Sequence, residues 1–104
     1  MVNRYGYALN KLIESGEIKE VKPLPENPLY ITGDIYWCGY WQKYYKVLAA
    51  SYEPHRYKGK VFHSLKSVKV LWQDGKISEH CTSLDSMRDY RIILSPEFYE
   101  KMRG

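Results

Sequence analysis

The chain has 104 residues, of which 44% are hydrophobic and 15% aromatic, and its net charge at pH 7 is +4. This length suits one domain and leaves no room for a second, and the apolar content excludes a disordered chain. No apolar run is long enough to span a membrane and the first residues do not resemble a secretory signal, so we expect a cytoplasmic protein without a membrane partner.

The first third of the chain predicts a helix and an extended connector. Apolar residues recur at the spacing of an amphipathic helix from about Arg4 to Ser15, and Ser15-Gly16 is a typical C-terminal stop. Three prolines follow within residues 17–32, and each disfavours helix at the preceding residue. We therefore predict an extended segment with an edge strand at Ile18 to Lys22.

From Gly33 onward, short β-prone runs alternate with turn signals. The predicted strands are Asp34 to Cys38, Lys43 to Tyr52, Ser67 to Gln73, Lys76 to Thr82 and Tyr90 to Leu94. The predicted loops are Gly39 to Gln42, Glu53 to Gly59 and Leu84 to Asp89. Ser95-Pro96 then predicts the start of a terminal helix over residues 95–104, which Phe98 and Met102 would dock.

Asp74-Gly75 separates two alternating runs and predicts a β-hairpin with a two-residue type I′ turn. This loop length pairs Trp72 with Ile77 and Val68 with Cys81. The predicted core face comprises Val68, Val70, Trp72, Ile77 and Cys81. Glu79 is the only charge on that face, and we expect a salt bridge to Arg88 or Arg91, with a functional groove as the alternative.

Several segments together resemble the SH3-like barrels of the Tudor and KOW type, namely Gly33-Asp34-Ile35-Tyr36, Tyr45-Lys46-Val47-Leu48, Val68 to Gly75 and Tyr90-Arg91-Ile92. The resemblance implies a mainly β single domain: a helix and Pro-rich connector in residues 1–32, a small five-stranded SH3-like barrel in 33–94, and a C-terminal helix in 95–104. Such barrels bind peptides, methylated side chains, RNA or DNA, or scaffold assemblies. The chain is also similar in style to small phage and prophage proteins, which often bind a host component.

Aromatic residues are concentrated between residues 36 and 52, which hold seven of the sixteen. Because so small a barrel cannot bury all seven, we expect some to be exposed, with Tyr40, Trp41 and Tyr44 the leading candidates. The predicted partner-binding surface comprises Trp37, Tyr40, Trp41, Lys43, Tyr44 and Lys46. These rings suit a protein interface, or base stacking beside lysine–phosphate contacts. The alternative is that they pack against the N-terminal helix and the connector.

Positive charge is concentrated between residues 43 and 76, where eight Lys or Arg face two acidic residues. The local balance is +6, and the rest of the chain sums to −2. Such polarity attracts an anionic partner, for example nucleic acid or an acidic protein surface. The alternative is that these lysines keep a small sheet soluble and protect its edges.

These features predict a non-enzymatic binding module that acts on a protein partner, with nucleic-acid binding as the alternative and a small Cys/His enzyme third. No catalytic, cofactor or metal site is predicted. Catalysis by a thiol would need Cys38 or Cys81 beside a histidine, but His80 and Cys81 point to opposite faces of a strand. We expect both cysteines to be reduced, Cys81 as a small core residue and Cys38 in a more open position.

Overall fold

The computed structural model describes residues 5–24, 30–81 and 89–102. The elements in chain order are α1 (Tyr7–Glu14), β1 (Ile18–Lys22), β2 (Ile35–Cys38), β3 (Lys43–Tyr57), β4 (Lys60–Trp72), β5 (Ile77–His80), β6 (Tyr90–Leu94) and α2 (Pro96–Lys101). The strands form one antiparallel sheet in the order β1-β6-β2-β3-β4-β5. Within the described ranges, neither helix has the length and apolar character needed to cross a membrane.

The predicted mainly β class is confirmed, but the sheet has six strands and is not closed in the part of the chain described, instead of forming a five-stranded barrel. The sixth strand is β1, which pairs with β6 along the edge that closure against β5 would need. The predicted bounds of β1 and β6 agree with the structure. Most of the predicted loop Leu84 to Asp89 lies outside the described residues.

Both faces of the central strands are covered. On the helix side, a core forms beneath α1 and α2 from Leu9, Ile18, Ile35, Trp37, Tyr44, Leu71, Ile92, Leu94 and Met102. On the connector side, a second core contains Tyr30, Tyr36, Cys38, Tyr45, Val47, Val68, Val70 and Trp72. All four residues of β2 are therefore buried, although successive side chains point to opposite faces.

Tyrosine hydroxyls of the sheet form hydrogen bonds with the connector. The Tyr52 hydroxyl accepts a hydrogen bond from the Tyr30 amide (2.8 Å) and donates one to the Tyr30 carbonyl (2.9 Å). The Tyr36 hydroxyl accepts from the Ile31 amide (3.0 Å), and Tyr45 donates to the Tyr30 hydroxyl (3.2 Å). Tyr30 and Ile31, which lie outside the strands, thus have their backbone amides satisfied by side chains of the sheet.

The β4–β5 hairpin differs from the prediction by one residue in register. Leu71 pairs with Ile77 and Val68 with His80, and the Trp72 amide donates to the Lys76 carbonyl (2.7 Å). The loop therefore has three residues, with Gly75 at a φ of 92° and Asp74 outside the positive-φ region. This is the turn that combines a type I turn with a glycine bulge, whereas a type I′ turn needs positive φ at both central residues.

The shifted register reverses the predicted facing of β5. Ile77 and Glu79 are exposed, and so is Cys81, while Ser78 and His80 turn towards the connector-side core. The Trp72 indole N–H donates to the Ser78 hydroxyl (2.7 Å), which lies 2.8 Å from Nε2 of His80. The prediction that Ile77 and Cys81 lie in the core is therefore wrong, and so is the burial of Glu79.

The cation expected to pair with Glu79 has a different partner. The Nε atom of Arg91 lies 3.1 Å from the Oδ2 atom of Asp34, and both side chains are partly buried. The other expected partner, Arg88, lies outside the described residues. Since Glu79 is exposed to water, its charge needs no buried counterion.

The predicted loop at Glu53 to Gly59 is also wrong, because β3 and β4 extend through it as a long hairpin. The two strands are joined by a two-residue turn at Lys58-Gly59, with φ angles of 50° and 76° between the paired residues Tyr57 and Lys60. Positive φ at both central positions is the type I′ geometry that was expected at Asp74-Gly75. We call residues 53–64, the distal part of this hairpin, the arm.

The register of the β4–β5 hairpin can be tested with two alanine variants. Ser78→Ala removes the acceptor of the buried Trp72 indole N–H and should lower the free energy of unfolding by about 1–3 kcal/mol. Ile77→Ala changes an exposed side chain and should alter the free energy of unfolding by about 0.5 kcal/mol or less. Urea unfolding measures both, and a larger loss in Ile77→Ala than in Ser78→Ala would restore the two-residue loop.

Candidate functional site

The predicted partner-binding surface does not exist as one surface. Trp37 is only 2% exposed and Tyr44 only 4% exposed, so the inclusion of these two residues is wrong. Both belong to the helix-side core, where Trp37 lies in the same cluster as Leu9 of α1. For these two rings, the alternative of packing against the N-terminal helix is correct, whereas the connector packs on the opposite face of the sheet.

Tyr44 is buried with its hydroxyl paired. The hydroxyl donates to a carboxylate oxygen of Glu17 at 2.6 Å. Burial raises the pKa of Tyr44 above its ordinary value, and the hydrogen bond to Glu17 raises it further, because both disfavour the phenolate. Tyr44 therefore acts as a neutral structural donor and is not available to a partner.

The two lysines of the predicted surface lie on opposite sides of the sheet and already have partners. Lys43 Nζ is 4.6 Å from the centroid of the Trp72 ring and 3.4 Å from the Asp74 carboxylate. Lys46 Nζ lies 4.9 Å from the centroid of the Tyr99 ring on α2. Both side chains are partly buried, so neither combines with exposed rings to form a cationic surface.

Tyr40 and Trp41 are the members of the predicted surface that are strongly exposed, at 74% and 58%. They lie in the loop between β2 and β3, and their rings meet edge to face with centroids 4.9 Å apart. The Trp41 amide donates to the Cys38 sulfur at 3.4 Å. The Asp89 carboxylate occupies the space that a Cβ at Gly39 would need, so only glycine fits at the start of this loop.

Sequence reasoning missed the arm. Every residue from 53 to 63 is exposed, so neither face of this ribbon is covered by the described part of the protein. Arg56, Lys58 and Lys60 lie near its tip, and Glu53 at its base is the single acidic residue in it. Two of its rings are largely open to solvent, Tyr57 at 63% and Phe62 at 50%.

Charged side chains and aromatic rings occupy different positions along the length of the arm. At the base, Glu53 lies 3.9 Å from Lys66 Nζ and 4.0 Å from Nε2 of His55. Further out, the rings of His55 and Phe62 stack across the two strands with centroids 5.6 Å apart. Lys58 Nζ lies 5.4 Å from the centroid of the Tyr57 ring at the tip. The one acidic side chain is thus at the base, and the tip carries cations beside exposed rings.

The Lys58-Gly59 pair was the signal that could have located the arm. A dipeptide ending in glycine between Tyr57 and Lys60 is compatible with a hairpin turn. Pro54 argued against a strand, because proline removes a donor from the ladder. In a two-stranded ribbon, however, each strand has one free edge, and a residue whose N–H faces that edge loses no ladder bond.

The two cysteines are in positions opposite to those predicted. Cys38 is fully buried in the connector-side core, and Cys81 is exposed because of the shifted hairpin register. Burial raises the pKa of the Cys38 thiol, although backbone amides at Trp41 and Tyr40 oppose this shift. The thiolate that a nucleophilic cysteine needs is therefore disfavoured at Cys38. Over residues 5–24, 30–81 and 89–102, no three His, Cys, Asp or Glu side chains gather in a way that could hold a metal ion.

Thiol labelling checks these two environments. In the folded protein at pH 8, Cys81 should react with an aromatic disulfide reagent at the rate of a free peptide thiol, because it is exposed. Cys38 should react at least about a hundredfold more slowly and become fast in denaturant, because its sulfur is buried and its pKa is raised. The variants Cys38→Ala and Cys81→Ser assign the phases, and rapid labelling of folded Cys81→Ser would contradict the buried position.

Comparisons of the chain with protein-family models, with curated proteins and with solved structures found no match. A candidate function therefore has to be argued from the surface of the molecule itself. The described residues offer two such surfaces, the basic arm and the exposed pair Tyr40–Trp41.

Proposed function

We propose that this protein is a binding module that binds nucleic acid through its arm. The observation that carries the proposal is the exposed, cationic distal hairpin, in which Arg56, Lys58 and Lys60 lie beyond the single acidic residue, Glu53. Lys or Arg side chains that neutralise phosphates release condensed counterions, and this term dominates the affinity of most nucleic-acid-binding proteins. An anionic polymer is the partner that such a charge distribution attracts most strongly.

The shape of the arm supports the same proposal. Five residue pairs, from Glu53–Ser64 to Tyr57–Lys60, give a two-stranded ribbon roughly 17 Å long. The ribbon contributes to the elongated form of the molecule, whose extents are 49 × 31 × 21 Å. A two-stranded ribbon can enter a nucleic-acid groove or follow a backbone, because it presents side chains from both faces.

The cost of exposing the arm also favours a partner. An isolated two-stranded hairpin in water is marginally stable, and this one exposes Tyr57, Val61 and Phe62. A bound partner that covers these apolar side chains would stabilise the arm. The resemblance of residues 33–94 to SH3-like domains of the Tudor and KOW type, some of which bind RNA or DNA, agrees with a nucleic-acid partner but does not carry the proposal.

Charge reversal on the arm tests this function. The double variant Arg56→Glu, Lys60→Glu should lower the affinity for a labelled oligonucleotide by at least about tenfold in 50 mM salt, because it replaces two of the three cations near the tip with repulsive charges. For the unaltered chain, three phosphate contacts predict that affinity falls about 40-fold for a duplex, and about 20-fold for a single strand, between 50 and 200 mM salt. Fluorescence anisotropy titrations measure both quantities.

A matched control separates the arm from net charge. The double variant Lys11→Glu, Lys19→Glu makes the same change in net charge at two exposed positions on α1 and β1. It should keep the salt slope and most of the affinity. Equal losses in the two double variants would show that binding follows total charge, and affinity that does not respond to salt would refute the proposed phosphate contacts.

The second candidate function is binding of a protein partner at Tyr40 and Trp41. The supporting observation is that two large rings are exposed side by side on a loop whose Trp41 amide donates to the buried Cys38 sulfur. Tyrosine and tryptophan are enriched among the residues that dominate protein interfaces. This is the part of the predicted partner-binding surface that is still exposed.

Trp41→Ala tests the second candidate. Proteins captured by the unaltered chain and by Tyr7→Ala, which removes an exposed ring on α1, but lost by Trp41→Ala identify a partner of this loop. With that partner purified, Trp41→Ala should cost about 2 kcal/mol or more, which is roughly 30-fold in Kd, while thermal unfolding stays unchanged. If Tyr7→Ala and Trp41→Ala weaken binding equally, the loop is not the site.

A further inference from the structure

The two faces of the arm carry different chemistry. Alternation along paired strands places Glu53, His55, Tyr57, Lys60, Phe62 and Ser64 on one face, which we call the ring face. The opposite face carries Pro54, Arg56, Val61 and His63. Aromatic rings other than that of His63 are therefore confined to the ring face.

The rings on the ring face form a short platform. His55 and Phe62 are paired across the strands, and their ring planes are inclined by only 25°. Tyr57 follows His55 by two residues on the same strand, which is roughly 7 Å along the ribbon. Phe62 is half exposed and Tyr57 more than half exposed, so ring surface is available to a ligand at two successive levels.

Cations accompany this platform. Lys58 Nζ lies 5.4 Å from the centroid of the Tyr57 ring, and Lys60 is paired with Tyr57 across the strands. A base stacked on Tyr57 would therefore place its phosphate near a lysine. Glu53, the single acidic residue of the arm, is at the other end of this face beside Lys66 and His55.

Base accessibility distinguishes the forms of nucleic acid. In a duplex the base faces stack on one another, and the grooves offer only base edges and phosphates. In a single strand the faces are free, and they stack on exposed aromatic side chains with little dependence on sequence. Phosphate binding alone would require only the cations of the arm, so exposed rings at two levels favour the single strand.

Resting on the proposed function, we propose that the ring face binds a single-stranded polynucleotide, with bases stacking on Phe62 and Tyr57 while Lys58 and Lys60 contact the adjacent phosphates. The contacts are with base faces and phosphates, which DNA and RNA strands share. Stacking contributes in addition to the phosphate contacts, so the arm prefers a single strand to a duplex at the same salt concentration.

The experiment compares a labelled 20-nucleotide oligo-dT with a 20-base-pair duplex of mixed sequence in 50 mM salt by fluorescence anisotropy. The unaltered chain should bind oligo-dT about tenfold more tightly. Phe62→Leu keeps an apolar side chain but removes the ring, and it should weaken oligo-dT binding about tenfold while changing duplex binding less than twofold. Val61→Ala, on the opposite face, should leave both affinities unchanged.

Circular dichroism of each variant verifies that the sheet is intact, and Tyr57→Thr, which keeps a β-prone residue beside the turn, gives a second test if Phe62→Leu unfolds the arm. A duplex affinity equal to or above that for oligo-dT would overturn the ring-face proposal, as would unchanged oligo-dT binding in both ring variants. If the charge-reversed arm loses affinity for both probes alike while the ring variants lose none, nucleic-acid binding stands and stacking fails. If neither probe binds the unaltered chain, both proposals fail.

Discussion

The antiparallel ladder between β3 and β4 determines the shape of the molecule. It joins twelve residue pairs, from Tyr45–Trp72 in the core to Tyr57–Lys60 at the tip. The three innermost pairs are covered on both faces of the sheet, whereas residues 53–63 are exposed on both faces. One extra residue in each strand, Leu48 in β3 and Lys66 in β4, interrupts the register near the change, and such bulges increase local twist. The core therefore holds the arm through the same two strands, which remain paired on both sides of the bulges.

Strands that are flanked by glycine or proline in the sequence could be predicted from it. Ile18–Lys22 and Tyr90–Leu94 agree with the structure because flanking glycine or proline residues limit where those strands begin or end. The types of the two glycine-containing hairpin turns were harder to predict. Asp74-Gly75 has the composition of a type I′ turn but belongs to a three-residue loop, and Lys58-Gly59 has the geometry without the favoured residue. The φ of the residue before each glycine decides between these turns, and composition does not fix it.

The candidate surface was only partly predictable, because exposure depends on what covers the sheet. The surplus of rings between residues 36 and 52 was real, but α1, α2 and the connector bury Trp37, Tyr44 and Tyr45. The excess of cations in residues 43–76 was also real, and its exposed members near the tip of the arm are separate from the partly buried pair Lys43 and Lys46.

The two-residue turn at the tip of the arm has a consequence for how this protein can change over evolutionary time. Lys58-Gly59 lies at the end of four residue pairs in which both members are exposed, so insertions or deletions there disturb none of the buried side chains. Side chains alternate between the two faces of a strand with a period of two. Adding or removing two residues in each strand therefore leaves the side chains at the tip on the same faces, whereas adding or removing one residue in each strand moves them to the opposite faces. The length of the arm can therefore vary in steps of about 7 Å among related proteins that share this fold.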